Sequence, residues 1–171
     1  MIQIIMSLEE KLIQFREKYY KENKKVTLFK NSQKLACAEE ITKSFSVDEL
    51  LNASIYTNQY KIMVDYPLIK TFINPTIYSN ILQHVEYLTQ HILSQYSHFE
   101  IHLNIQSFTI TAAQRYSELI KEFCNIYLNS QYEEKLKHIH ITNPPNIITI
   151  LQTMFHPFIS ESAKDKVIIL K

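Results

Sequence analysis

The chain has 171 residues, 46% of them apolar and 20% charged, with 18 Lys and Arg against 17 Asp and Glu. This is the composition of a single globular domain with a real core, and its near-zero net charge gives no reason to expect nucleic acid as a partner. Glycine is absent altogether, which excludes the Gly-dependent phosphate cradles, the P-loop and the dinucleotide fingerprint among them, and leaves turns to Asn, Ser and Pro.

Ser7 with Glu10 forms a capping-box signal for a helix from about Leu8 to Tyr20, with Leu8, Leu12, Phe15 and Tyr19 on one face. The charged run Lys18 to Lys25 reads as a solvated helix end, Val26–Phe29 as a strand, Asn31-Ser32 as a turn and Leu35–Ile41 as weakly helical. Ser46 signals the cap of a short helix, Asp48–Ile55. Residues 1–58 are expected to form an N-terminal helical or mixed extension packed on the domain formed by 59–171.

From Tyr60 a different order begins. Tyr60–Asp65 alternates as a strand. Asn74-Pro75 opens a helix, 75–96, with Ile77, Ile81, Val85, Leu88 and Ile92 on one stripe. Glu100–Gln106 alternates again, with Ile101, Leu103 and Ile105 on one side. Thr111 caps a helix, 111–128, and His138–Thr142 is a third strand. Asn143-Pro144-Pro145 stops that strand, because neither proline donates to a ladder and Pro145 holds Pro144 extended. An apolar helix from about Asn146 follows, Pro157 bends or ends it, and a polar link leads to a fourth strand, Val167–Leu170. This βαβαβαβ order predicts an α/β fold with a largely parallel sheet of at least four strands and crossover helices. Ile101, Leu103, Ile139 and Ile141 are the expected core of the helix-covered face. His102, Asn104, Gln106, His138, His140 and Thr142 mark the other face as polar, either solvated or lining a small polar cavity.

The stretch from Tyr132 to Leu170 carries the sharpest pattern. Tyr132, Glu134, Lys135, Leu136, Asn143, Pro145, Pro157, Phe158, Lys166 and Leu170 stand in one register. A charged helix end, a strand ending Asn-x-Pro, an apolar helix, x-Pro-Phe-aliphatic and a Lys-aliphatic strand follow one another. This order resembles the CRAL-TRIO lipid-binding domain, a family that includes phosphatidylinositol-transfer, tocopherol-transfer and retinaldehyde-binding proteins; a looser topological match reaches back to Tyr60. The chain resembles a divergent, compact member: His156 stands where members carry Lys before Pro-Phe, and Ala163 where phosphatidylinositol-transfer members carry threonine.

The resemblance implies non-enzymatic binding, with transfer as a further role, of a lipid or other amphiphile. The apolar pocket is covered by helix 146–155 as a mobile gate, with Ile147, Ile150, Leu151, Met154, Phe155 and Phe158 as lining. Read from its residues alone, the segment Ile147–Ile159 fits a gate, a membrane-touching surface and a deeply buried crossover helix equally. Glu134 and Lys166 fall where phosphatidylinositol-transfer members hold the inositol phosphate headgroup: lysine offers a point charge to phosphate and the carboxylate accepts from hydroxyls. The expected partners are the ligand, a transient membrane contact and a protein partner; in the alternative reading the same fold is a protein-interaction module without lipid.

Other chemistry has little support in the residues. His84, His91 and His98 recur every seven residues and His138 and His140 share a strand face, but no Glu or Asp joins them at a familiar ligand spacing, so no metal and no cofactor is expected. There is no Gly-x-Ser-x-Gly, and Cys124, between Phe123 and Ile126, reads as a packed thiol. Glu9-Glu10, Glu39-Glu40 and Glu133-Glu134 point apart as helix neighbours. No catalytic residue is assigned and no enzyme is expected. Two cysteines build no disulfide framework, which places the chain in the cytoplasm by default. No run approaches the ~20 apolar residues of a membrane span, MIQIIM is too short for a signal-peptide core, and no lipidation motif is expected.

Overall fold

A computed structural model describes residues 6–24, 28–128 and 132–170. The MIQIIM lead and the strand expected at Val26–Phe29 fall largely outside these residues. Helix α1 (Leu8–Glu22) begins at Ser7, whose hydroxyl accepts from Glu10 N while the Glu10 carboxylate accepts from Ser7 N, so the expected capping box is complete. Helix α2 (Lys30–Ser44) takes in Asn31 and Ser32, which the sequence reads as a turn; Ser32 Oγ instead donates to Phe29 O at 2.9 Å, inside the first turn of the helix. Helix α3 (Val47–Ser54) is capped by Ser46.

Five strands follow in the spatial order β1-β2-β3-β4-β5. Strand β1 (Ile55–Asn58) is one the sequence does not announce. It runs antiparallel to β2 (Lys61–Asp65) through a two-residue turn, with Asn58 opposite Lys61. Strands β2, β3 (Phe99–Asn104), β4 (Leu136–Thr142) and β5 (Val167–Ile169) are all parallel, so the four expected strands form one mostly parallel sheet. A short helix α4 (Tyr66–Ile69) leaves β2. The first crossover is a 3-10 turn, Pro75–Ile77, running into α5 (Tyr78–Leu93). The second is α6 (Ile110–Arg115) and α7 (Ser117–Leu128), broken at Tyr116; Thr109, not Thr111, caps it. The third holds α8 (Ile148–Phe155), a 3-10 turn His156–Phe158, and α9 (Glu161–Lys164).

The charged helix end expected at Tyr132–Lys137 is instead a turn followed by strand. Leu136 N donates to Tyr132 O at 2.8 Å, and β4 starts at Leu136. The Tyr132 ring is drawn inward by Phe99 and Tyr127, with centroids 6.4 and 5.4 Å away.

The pairing register decides the two faces, since partnered residues of parallel strands share a side. Ile62, Ile101, Ile139 and Val167 align on one face, and Val64, Leu103, Ile141 and Ile169 continue it toward the C-terminal strand ends. Ile62, Phe99, Ile101, Leu136 and Ile139 are buried in one cluster with Ile81, Val85 and Ile92 of α5 and Leu119 and Tyr127 of α7. Leu12, Cys37, Ile41, Leu50 and Leu51 extend the same cluster into α1–α3. Of the four expected core residues, Ile101 and Ile139 are buried, while Leu103 and Ile141 are only half-buried. The core therefore thins toward the C-terminal ends of the strands. The other face carries Lys61, Met63, Asp65, Glu100, His102, Asn104, His138, His140, Thr142 and Ile168.

Candidate functional site

The structure draws chemistry together at three places: the apolar helix α8, the polar face of the sheet, and a cavity at the C-terminal ends of β2 and β3.

Helix α8 is apolar except along one side, Thr149, Gln152 and Thr153, yet within it only Leu151 is fully buried, at 4% exposure. Ile150 is 49% exposed, and Ile147, Met154 and Phe155 are half-buried. Leu151 stands outside the continuous core cluster, and so do Ile147, Met154 and Phe155. Phe158 does pack against that cluster and lies under Lys121, whose Nζ is 4.9 Å from the ring centroid. The helix is thus tethered at its C-terminal end, by Phe158 behind Pro157, and begins just after Pro144-Pro145. Its outer side borders a groove of about 490 Å³ lined by Thr149, Gln152, Thr153, His156 and Pro157.

The two headgroup candidates are not joined: among the described residues no ion pair links Glu134 and Lys166. Glu134 is exposed. Lys166 Nζ donates to the backbone oxygen of Glu133. Glu133, its neighbour, is the engaged acid: its carboxylate accepts from Ser160 Oγ and Ser162 Oγ. The Ser162 bond, with help from Ser160 and the charge of Lys166, holds Glu133 below its ordinary range despite some desolvation.

On the polar face, Glu100 is the residue that sequence reasoning missed. Its side chain is 9% exposed and sits among three imidazoles. Oε2 lies 3.1 Å from His102 Nε2 and 3.5 Å from His140 Nε2, and Oε1 lies 3.4 Å from His138 Nδ1. The His102 and His140 rings stack with centroids 4.4 Å apart. Burial disfavours the Glu100 carboxylate, but hydrogen bonds from His102 and His138 outweigh it and hold the acid below its ordinary value. Burial, then the charge of His102, pushes His140 down. One carboxylate and two imidazoles are residue types that bind metal ions, and the ligand atoms of Glu100, His102 and His140 lie within 4.8 Å of one another. The signal available in the sequence was Glu-x-His on β3 beside His-x-His on β4; it becomes readable once the strands are known to be parallel neighbours with His102 opposite His140. The histidines spaced by seven do not converge: His84 bonds Ile55 O, His91 stacks on Tyr87, and His98 lies against Tyr60.

The cavity, of about 210 Å³, lies between α1, α2 and the segments that leave β2 and β3. Arg16, Lys34, Lys70 and Arg115 line it together with Ser107 and Thr109, and no carboxylate does. Lys70 Nζ donates to Ser107 Oγ at 2.6 Å. Arg115 donates to Asn31 Oδ1 and, at 3.4 Å, to Tyr116 Oη, while its buried Nε has no hydrogen-bond partner. Partial desolvation of its ammonium, then the charges of Arg115, Arg16, Lys30 and Lys70, push Lys34 below its ordinary value, although the residue as a whole is exposed. Both cysteines are buried, and burial pushes the Cys124 thiol up to about 11, which suits packing and not nucleophilic attack.

Comparison with known proteins agrees with this architecture. The model of the CRAL/TRIO domain family matches residues 104–171, from the end of β3 through α6, α7, β4, α8 and α9 to β5. The crystal structure of Sfh5, a CRAL-TRIO protein, aligns with a TM-score of 0.55 at 16% identity, over 94% of this chain and 67% of that one. That likeness is one of fold. No curated protein matches by sequence. Among the described residues no helix is long and apolar enough to cross a membrane. The C-terminal part of the chain is thus similar to the CRAL/TRIO domain, and nearly its whole length shares the α/β fold of Sfh5.

Proposed function

We propose that the protein binds a lipophilic or amphiphilic ligand without transforming it, with α8 as the movable cover and Ile147, Leu151, Met154, Phe155 and Phe158 as the ligand-touching side. Proteins of the CRAL-TRIO family generally bind lipophilic ligands and are typically non-enzymatic. The observation that carries the reading is the state of α8: an apolar helix whose side chains, Leu151 included, stand outside the continuous core. Moving it breaks few contacts with the continuous core. A phosphate-bearing headgroup is accommodated by Lys166 once it releases Glu133 O, with Glu134 free to accept from hydroxyls.

Native mass spectrometry and organic extraction of the purified protein test this directly. A stoichiometric lipid is expected, and hydrogen exchange in 146–159 should be faster than in α7 and slow on adding phospholipid vesicles. Equal protection in both helices, unmoved by lipid, defeats the reading. A second reading, an interaction module without lipid, is favoured by one observation: the groove along α8 is lined by the polar Thr149, Gln152 and Thr153. Partner binding that Thr153→Arg abolishes, in a protein that purifies free of lipid, distinguishes it.

A further inference from the structure

We propose that the cavity between α1, α2 and the C-terminal ends of β2 and β3 is a binding site for a phosphate-like dianion, held by Arg16, Lys34, Lys70 and Arg115. This inference is independent of the ligand reading for α8. Three observations converge on it. Four cationic side chains, brought from four separate segments, line one concavity that contains no carboxylate. Like charges held together repel, and the repulsion is relieved by a bound anion when no acid of the protein supplies the counter-charge. Next, the donors exceed the acceptors. Arg115 Nε is buried and unpartnered, and Lys34 makes no hydrogen bond or ion pair among the described residues. The buried Arg115 Nε without an acceptor is costly, and a phosphate oxygen is the acceptor that guanidinium geometry suits. Finally, the position is apt: Tyr66 and Lys70 follow β2, and Ser107 and Thr109 follow β3. The crevice outside the carboxyl ends of parallel strands is where open α/β sheets receive ligands.

The volume of about 210 Å³ admits a phosphate group with a small substituent and no acyl chain. The site is separate from Lys166, which precedes β5 and is bonded to Glu133. It is also the opposite of a Gly-rich cradle. Side chains, not successive backbone N–H groups, make it, which is how a chain lacking glycine can hold phosphate.

Calorimetric titration of the full chain with inorganic phosphate and with pyrophosphate tests the proposal. One site is expected, tighter for pyrophosphate and weakened by salt. Lys34→Gln and Arg115→Gln should each weaken it about tenfold or more, the loss of one charge-assisted contact. Lys34 is exposed, so its variant should fold as the parent does. Lys18→Gln, on the outer side of α1, should leave binding unchanged. Flotation with phosphatidylcholine vesicles, with and without phosphatidic acid, separates the sources of the phosphate. Co-flotation only with phosphatidic acid, competed by pyrophosphate and lost in Lys34→Gln, identifies a lipid headgroup. Binding of the free anions without vesicle capture identifies a small soluble ligand. No saturable binding of either anion or vesicle, or binding that Lys34→Gln and Arg115→Gln leave unchanged, overturns the proposal. Loss of the α8 lipid reading does not bear on any of these outcomes.

A different observation independently carries a second site. We infer that Glu100, His102 and His140 bind a zinc-class divalent ion, with His138 holding the other oxygen of Glu100. Tetrahedral zinc with nitrogen and oxygen ligands sets neighbouring ligand atoms about 3.3 Å apart, and the Glu100 Oε2 separations from His102 and His140 are 3.1 and 3.5 Å. Side-chain exposures of 17% and 18% leave the two imidazoles reachable from solvent, and three protein ligands leave a fourth position for water. Titration with Co²⁺ should give one bound ion with a tetrahedral visible spectrum, displaced by Zn²⁺. His140→Asn should lose it and His91→Gln should keep it. On the unaltered chain, Zn²⁺ should shift the imidazole NMR signals of His102 and His140 and not those of His84 or His91. No stoichiometric binding, or shifts confined to the other histidines, refutes the site.

Discussion

At the scale of single residues, the missing glycine leaves a trace in the backbone. Four described residues have positive φ: Lys24, Gln59, Ser107 and Asn143. Asn tolerates that region, but Gln59, at φ 58°, does so in the two-residue turn between β1 and β2, where glycine is the usual first residue. Gln59→Gly should therefore stabilise the protein by up to about 1 kcal/mol, the relieved strain less the added chain entropy; a lower midpoint in urea refutes the strain. Inside the core, Ile139 is buried between neighbours on β3 and β5. Ile139→Ala should cost about 2–5 kcal/mol by equilibrium denaturation, whereas a change within about 0.5 kcal/mol is what a surface position gives. Ser107 shows how one strained residue positions a site, since its left-handed backbone accompanies the bond from Lys70 at the cavity wall.

Elements differ in how firmly the fold holds them. Helix α5 buries six residues and α7 buries Leu119, Cys124, Tyr127 and Leu128, whereas α8 buries Leu151 alone. A helix so attached should tolerate a charge better than its neighbours do. Leu151→Asp is expected to leave the far-UV spectrum and a cooperative melt intact while abolishing lipid uptake. Leu119→Asp in α7 should unfold the protein. If Leu151→Asp also unfolds it, α8 is fixed core and its role as a cover fails. The prolines flanking α8 were visible in the sequence, and so was its apolar character. Its separation from the core was not, because the same apolar residues serve a buried crossover equally well.

The whole molecule is one continuous core spanning the sheet and the N-terminal helices. Leu12, Cys37 and Ile41 join the same cluster as Ile62 and Phe99, and Arg16 and Lys34 line the cavity beside Lys70 and Arg115. Removing 1–44 strips apolar side chains worth about 1.5–3 kcal/mol each from that core. The shortened chain should lose its cooperative thermal transition and bind no pyrophosphate. A sharp melt near that of the full chain would show that the sheet stands alone.

The alternation of strands and helices from Tyr60 onward was enough to predict the parallel sheet, because residue periodicity and right-handed crossovers leave few other arrangements. The Asn143–Pro145 and Pro157–Phe158 pattern was likewise enough for the CRAL-TRIO resemblance, being local in the chain. Strand β1 escaped because Ile55 closes a helical signal and Asn58 opens a turn, so that only pairing with β2 makes the segment a strand. The turn at Tyr132 was decided by ring packing against Phe99 and Tyr127, a contact across the chain. Glu100 gained its three imidazoles from strand register, and the four cations of the cavity come from positions 16 to 115 with no shared spacing. Local pattern determines which elements form; charge convergence between distant segments is a property of the folded chain alone.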